Sequence, residues 1–99
     1  MKLRFEREFQ TQFIKNAREL FPGIIILKND PEYILGFPDL TLLYGDKWAV
    51  LEIKRSGDES FQPNQQYYID FLNEWSYGAV VYPENEQEVL NELQRLFRA

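Results

Sequence analysis

Asp39 on one side of a tight turn, and Glu52 with Lys54 on the other, are the side chains best placed for chemistry in this 99-residue chain. Gly45-Asp46 separates a run over 39–44 from one over 47–55, and glycine at the first central position suits a type II′ hairpin turn. Such a turn pairs Tyr44 with Lys47, Leu42 with Ala49, Leu40 with Leu51 and Asp39 with Glu52. A four-residue loop about the same centre keeps that register, whereas a three-residue loop shifts it by one. Directly opposed side chains share a face, their Cβ atoms roughly 4.5–5.5 Å apart. Two carboxylates so placed repel unless a cation lies between them. Mg²⁺ is commonly held by one or two carboxylates while it keeps several waters. Lys54, two residues beyond Glu52, projects from the same face. The plain alternative is a set of solvated charges on a half-exposed sheet. Against it, Thr41, Leu43, Trp48 and Val50 share the face, which is therefore partly apolar and expected to lie under a helix.

Two helices bear on that hairpin. Residues 3–20 carry Phe5, Phe9, Phe13, Ala17 and Leu20 at helical spacing, and the centre of this stripe falls almost on Glu6. A buried, unpaired carboxylate is costly, so Glu6 needs a partner or an ion. A frayed, wet first turn or a salt bridge is the simpler account. Glu8 points away from the stripe, and Gln10 lies near it. A second helix is predicted over 63–76, with Pro63 in its first turn and Tyr68, Ile69, Leu72 and Trp75 on its buried side. Gln65 sits one turn above Ile69, where its amide either orients Lys54, a water or a phosphate, or caps the helix.

The remaining elements complete one α/β domain over 1–99. Pro22-Gly23 closes the first helix, and the β-branched run over 23–29 reads as a buried strand. Residues 30–36 and 56–61 are loops, 78–82 is a fourth strand, and Asn85 with Glu88 resembles a capping box opening a last helix that ends near Arg98. A crossover helix between strands three and four implies a parallel pair, and so a mixed sheet with helices on its faces.

Composition narrows the chemistry. The chain has no cysteine and no histidine. That excludes disulfides, thiolate zinc sites, cysteine nucleophiles, serine–histidine triads and imidazole bases. Any reaction must run on carboxylates, lysine, hydroxyls and amides, with no organic cofactor expected. The longest apolar stretch, residues 24–27, is far too short for a membrane span. Charges interrupt the apolar residues at the N-terminus, so a cytoplasmic protein without a secretory signal is expected. The formal net charge of -5 argues against a non-specific basic coat. It is compatible with nucleic-acid chemistry, because a divalent ion at clustered carboxylates reverses the local field.

Gly36-Phe37-Pro38-Asp39, Leu51-Glu52-Ile53-Lys54, and Gln65 followed by Tyr68, Ile69 and Leu72 together resemble the PD-(D/E)xK nucleases, and among them the stand-alone phage-type VRR-NUC branch. The resemblance spans nearly the whole chain, including an early helix with glutamates and the Lys28-Asn29-Asp30 segment. It implies a restriction-endonuclease-like αβββαβ core, extended here by the last helix, and Mg²⁺- or Mn²⁺-dependent hydrolysis of DNA phosphodiesters in phage or prophage DNA processing. By position, Asp39 and Glu52 would ligate metal, with the Ile53 carbonyl as a further ligand. Lys54 would orient or help deprotonate the attacking water. Glu6 would be the helix-one acid, with Glu8 competing, and Gln65 would support the site. Lys28, Lys47 and Arg55 are candidate contacts to backbone phosphates, against the alternative that they serve solubility alone. Compact members resemble Holliday-junction resolvases, which implies a homodimer acting on branched DNA as one alternative. A catalytically silent nucleic-acid-binding or regulatory module on the same fold is the other.

Overall fold

The computed structural model describes residues 4–98. The chain runs α1 (Arg4–Leu20), β1 (Ile25–Lys28), β2 (Leu40–Tyr44), β3 (Lys47–Ile53), α2 (Gln65–Trp75), β4 (Gly78–Val81), a 3₁₀ turn (Pro83–Asn85) and α3 (Glu86–Arg98). The sheet order is β1-β2-β3-β4. The first three strands are antiparallel neighbours, and β3 pairs parallel with β4 across the α2 crossover. This is the mixed sheet flanked by helices that the order of elements implied. Among the described residues no helix is long and apolar enough to cross a membrane.

The hairpin forms in the expected register. Tyr44 faces Lys47, Leu42 faces Ala49 and Leu40 faces Leu51. Gly45 has a φ of 63°, whereas Asp46 is not among the positive-φ residues. Positive φ at the first central position alone is the type II′ signature.

Alternation along these strands then sorts two faces. Leu40, Leu42, Ala49, Leu51, Ile53 and Val81 turn to one side and meet Phe13, Ile14 and Ala17 of α1 and Val89, Leu90, Leu93 and Phe97 of α3. Phe21 closes this core edge-on against Phe97 and Tyr44 packs tilted against the same ring, with centroids 5.1 and 5.3 Å from it. Burying each such leucine or phenylalanine contributes about 1.5–3 kcal/mol, so most of the stabilising area lies on this side. The other face carries Val50, Glu52 and Lys54, all buried, beneath Ile69 and Leu72 of α2. Gly78 permits that approach: a Cβ there would stand 2.8 Å from the Ile69 carbonyl oxygen.

Four expectations need correction. The run at 23–29 is not a buried strand: β1 is an edge strand, with Ile25 and Leu27 about half exposed, Ile24 buried in the core and Ile26 packed partly against it. Its β-branched content fits a pleated backbone equally well at an edge or in the centre. The buried stripe of α1 includes Glu6, Phe13, Ile14, Ala17 and, just past its end, Phe21, while Phe5 and Leu20 are exposed. On α2, Trp75 is exposed and Pro63 precedes the helix, which begins at Gln65 after Asn64 in a left-handed conformation. Asn85 does not open a box with Glu88. Its side chain instead accepts the Tyr82 N–H and donates to the Val80 carbonyl, fixing the turn that precedes α3.

Candidate active site

Asp39 immediately precedes β2, and the hairpin register continued one step places it opposite Glu52. Asn29 pins this end of the strand. Its N–H donates to the Asp39 carbonyl (2.8 Å), and its side-chain amide donates to the Pro38 carbonyl (2.8 Å) and to Thr41 Oγ1 (3.0 Å). The Asp39 carboxylate bridges to β3 by accepting the Ile53 N–H through Oδ2 at 2.7 Å. It is thereby held beside the strand that carries Glu52.

Glu52 and Lys54 follow at alternate positions on β3, 2% and 7% exposed. With Glu6 (6%), they are the charged side chains buried among the described residues. Every other acid and base among the described residues lies partly or fully in solvent. Burying charge is costly unless it is paired and hydrogen-bonded, and Gln65 answers for two of the three. Its Nε2 donates to Glu52 Oε2 (2.9 Å), and its Oε1 accepts from Lys54 Nζ (3.1 Å) and from the Gln62 N–H (2.7 Å). Lys54 Nζ also donates to the Ser60 carbonyl (3.3 Å), stands 3.9 Å from Glu52 Oε2 and lies 5.5 Å from the centroid of the Phe61 ring. Of the two roles open to Gln65 from sequence, the amide takes the first and orients Lys54. The N-cap of α2 is Asn64, with no side-chain cap bond, and Gln65 Oε1 instead closes the turn before the helix through the Gln62 N–H.

Glu6 meets a carboxyl partner, Glu59, in the loop after β3. A hydrogen bond between two carboxyl groups needs one proton shared between them. Partial burial opposes ionisation of Glu59. The bond with Glu6, the Arg55 N–H at 3.2 Å and the charges of Lys54 and Arg55 outweigh it and hold Glu59 below its ordinary value. Among the described residues no three acids close into one metal-sized group. The acids facing each other across the hairpin are therefore Asp39 and Glu52. Glu8 is exposed on the outer side of α1.

The three candidate phosphate contacts separate. Arg55 lies at the site, exposed, with Nε 3.6 Å from Glu59 Oε2. Lys28 is near Asp39 in the sheet, yet its side chain lines a groove toward α1, on the face opposite Glu52. Lys47 begins β3 at the turn, beside Asp46, roughly 17 Å of strand from Glu52. Glu59, Ser60 and Phe61 were missed from sequence. An irregular loop has no periodicity to expose which of its residues turn inward.

The side-chain donors facing each other here are oxygens, the carboxylates of Asp39 and Glu52. Hard divalent cations such as Mg²⁺ prefer such a set and tolerate few protein ligands. The residues present fit that ion. No family model and no curated protein matches the chain. Among solved structures, a chain described as a VRR_NUC domain protein superposes with a TM-score of 0.67 at 22% identity, covering 97% of this chain and 93% of that one. The chain therefore has the fold of a VRR_NUC domain protein, with its buried charges at the position where sequence had grouped them.

Proposed function

We propose that this protein is a divalent-metal-dependent nuclease that hydrolyses DNA phosphodiester bonds. The observation that carries the reading is the burial of Glu52 and Lys54 on one face of β3, bridged by Gln65 and facing Asp39 across the hairpin. A fold needs no such group, since replacing buried ion pairs by apolar residues is often neutral or stabilising. Asp39, Glu52 and the Ile53 carbonyl would hold Mg²⁺ or Mn²⁺. When bound, the ion supplies acidification of a water and neutralisation of charge on the phosphate.

The chain's own groups do the positioning. Lys54 as an ammonium group has three donors. Two are engaged by Gln65 and Ser60, and the third is available to the attacking water or a phosphoryl oxygen. Water oxygen forms the new bond to phosphorus as the bond to a sugar oxygen breaks, and Lys54 steadies the charge gathering on the phosphoryl oxygens. Gln65 keeps Lys54 and Glu52 in register throughout the displacement. Glu6, paired with Glu59, buttresses the loop beneath Lys54 rather than completing a third ligand. The finer form of this reading is a cytoplasmic homodimer that selects branched DNA in phage or prophage DNA processing.

A cleavage panel of single strands, duplex, flaps, forks and four-way junctions in Mg²⁺ and in Mn²⁺ tests the reading, with sedimentation for the dimer. Asp39→Ala and Lys54→Ala should each lower cutting by at least about a hundredfold, the scale of losing one transition-state-stabilising group. Parent-level cutting by Asp39→Ala would overturn the assignment.

A further inference from the structure

Charge is distributed unevenly along the chain. Residues 1–28 hold six of the eleven Lys and Arg but three of the sixteen Asp and Glu, which makes that segment +3 and the remainder -8. The folded helix concentrates the surplus further. Arg7, Lys15 and Arg18 fall with Thr11 within about 80° of the circumference of α1, on a side away from the core. Beside them runs edge strand β1. Between helix and strand lies a groove of about 440 Å³ lined by Lys15, Arg18 and Lys28 with Thr11 and Ile26, and Glu19 is its one acid. Thr11 joins it to a second hollow that contains Arg7 and Glu8. Among the described residues none of these four cations is engaged in an ion pair.

We infer that this side of α1, with Lys28 of β1, is a second nucleic-acid contact: a cationic track for the phosphate backbone of a duplex flanking the cut. The substrate class rests on the proposed nuclease reading. One end of the track adjoins, along the chain, residues that reach the candidate site from the other face of the sheet: Arg7 follows the Glu6 that bonds Glu59, and Lys28 precedes the Asn29 that bonds Asp39. It then leads away along the helix. Arg7 to Arg18 spans about 16 Å, and phosphates of one strand advance about 3.4 Å per nucleotide, so the track covers about five nucleotides. Surfaces built for single strands interleave cations with aromatic platforms on which bases stack. No aromatic residue lines either hollow, and cations with aliphatic and hydroxyl neighbours suit a backbone whose bases stay paired.

The test is fluorescence anisotropy of the intact protein with a labelled duplex and a single strand of equal length, in EDTA, over about 50–200 mM salt. Lys15→Gln with Arg18→Gln should weaken duplex binding at least about tenfold and flatten the slope of log K against log salt by about 1.8, two contacts' worth. Arg95→Gln with Arg98→Gln removes the same charge from α3 and should leave both quantities near the parent's. The inference is overturned if the two double variants lose affinity equally, if the α1 pair leaves the slope unchanged, or if the parent does not bind duplex. The two readings fail separately. A protein that binds duplex through α1 yet cuts nothing keeps the track and loses the nuclease, and one that cuts while the α1 pair binds normally does the reverse.

Discussion

At the scale of single residues, the distinctive feature is that Lys54 and Glu52 do not form a tight ion pair. Their closest approach is 3.9 Å, and the Gln65 amide mediates between them. Both are nearly removed from water, so taking away one partner leaves the other charge buried with less to offset it. Lys54→Met should therefore cost about 3–5 kcal/mol in urea denaturation. The same change in a Glu52→Gln background should cost much less, because the amide needs no cation. A double-mutant cycle reads the difference. Additive effects of the two substitutions would show that Lys54 is held by Gln65, Ser60 and Phe61 and that Glu52 is indifferent to it.

At the scale of elements, the loop that leads to Asp39 seats against the segment that opens α2 at Gln65. Gly36 makes that seat. Its φ is 83°, and a Cβ there would lie 2.6 Å from Asn64 Cβ and 2.7 Å from the Pro63 carbonyl oxygen. Gly36→Ala should cost about 2–4 kcal/mol, from left-handed strain together with overpacking against backbone, and should depress cleavage by moving Asp39 relative to Gln65. Gly45→Ala is the control. It also has positive φ, but nothing lies within 4 Å of a Cβ, so about 1–2 kcal/mol of strain should appear without loss of cutting. Equal effects from the two would detach Gly36 from the site.

Another element joint is Tyr77, just before β4, whose hydroxyl donates to Glu92 Oε1 of α3 at 2.5 Å. Burial, and then the bond to Glu92 and its charge, push the Tyr77 phenol well above its ordinary value of 10.0. The unfolded chain then loses this proton first as pH rises. Stability from the joint is complete below pH 10 and declines above it. Thermal melts of the parent should fall through that alkaline range, and those of Tyr77→Phe should fall less steeply. Parallel declines would place the alkaline loss elsewhere.

How far these elements could be read from sequence follows from what fixes each. A two-residue turn dictates register, so the Asp39–Glu52 juxtaposition was legible from Gly45-Asp46. Glu6 stood out as a carboxylate at the centre of an apolar stripe. The exposure of Trp75 was not legible: Tyr67, Phe71 and Trp75 cover one another along the outside of α2, with centroids 5.7 and 4.5 Å apart. A period-3.6 pattern does not distinguish that ladder from a buried face. The edge position of β1 escaped for a similar reason, and Glu59 because its loop has no period.

At the scale of the whole molecule, the sheet divides stability from chemistry. The α1–α3 face holds a continuous core, whereas α2 rests on few buried apolar side chains, chiefly Ile69 and Leu72 against Val50, with the polar site at its N-terminal end. Segments with few buried apolar contacts open at lower free energy than the global transition. Amide hydrogen exchange should accordingly show α2 losing protection before the β2–β3 ladder and α3. The link is Gln65, which ties the first turn of α2 to Glu52. An ion held by Asp39 and Glu52, as proposed, would stabilise the arrangement in which Gln65 is docked on Glu52, by RT ln(1 + [L]/Kd), or about 2.7 kcal/mol at a hundred times Kd. Mg²⁺ should therefore slow exchange in α2 more than in the α3 core, and Gln65→Ala should uncouple the two while leaving Asp39 and Glu52 in place. If α2 exchanges only with global unfolding, or if Mg²⁺ protects every element equally, α2 is an integral part of the core. The view of it as a lightly held cover over buried charge would then be wrong.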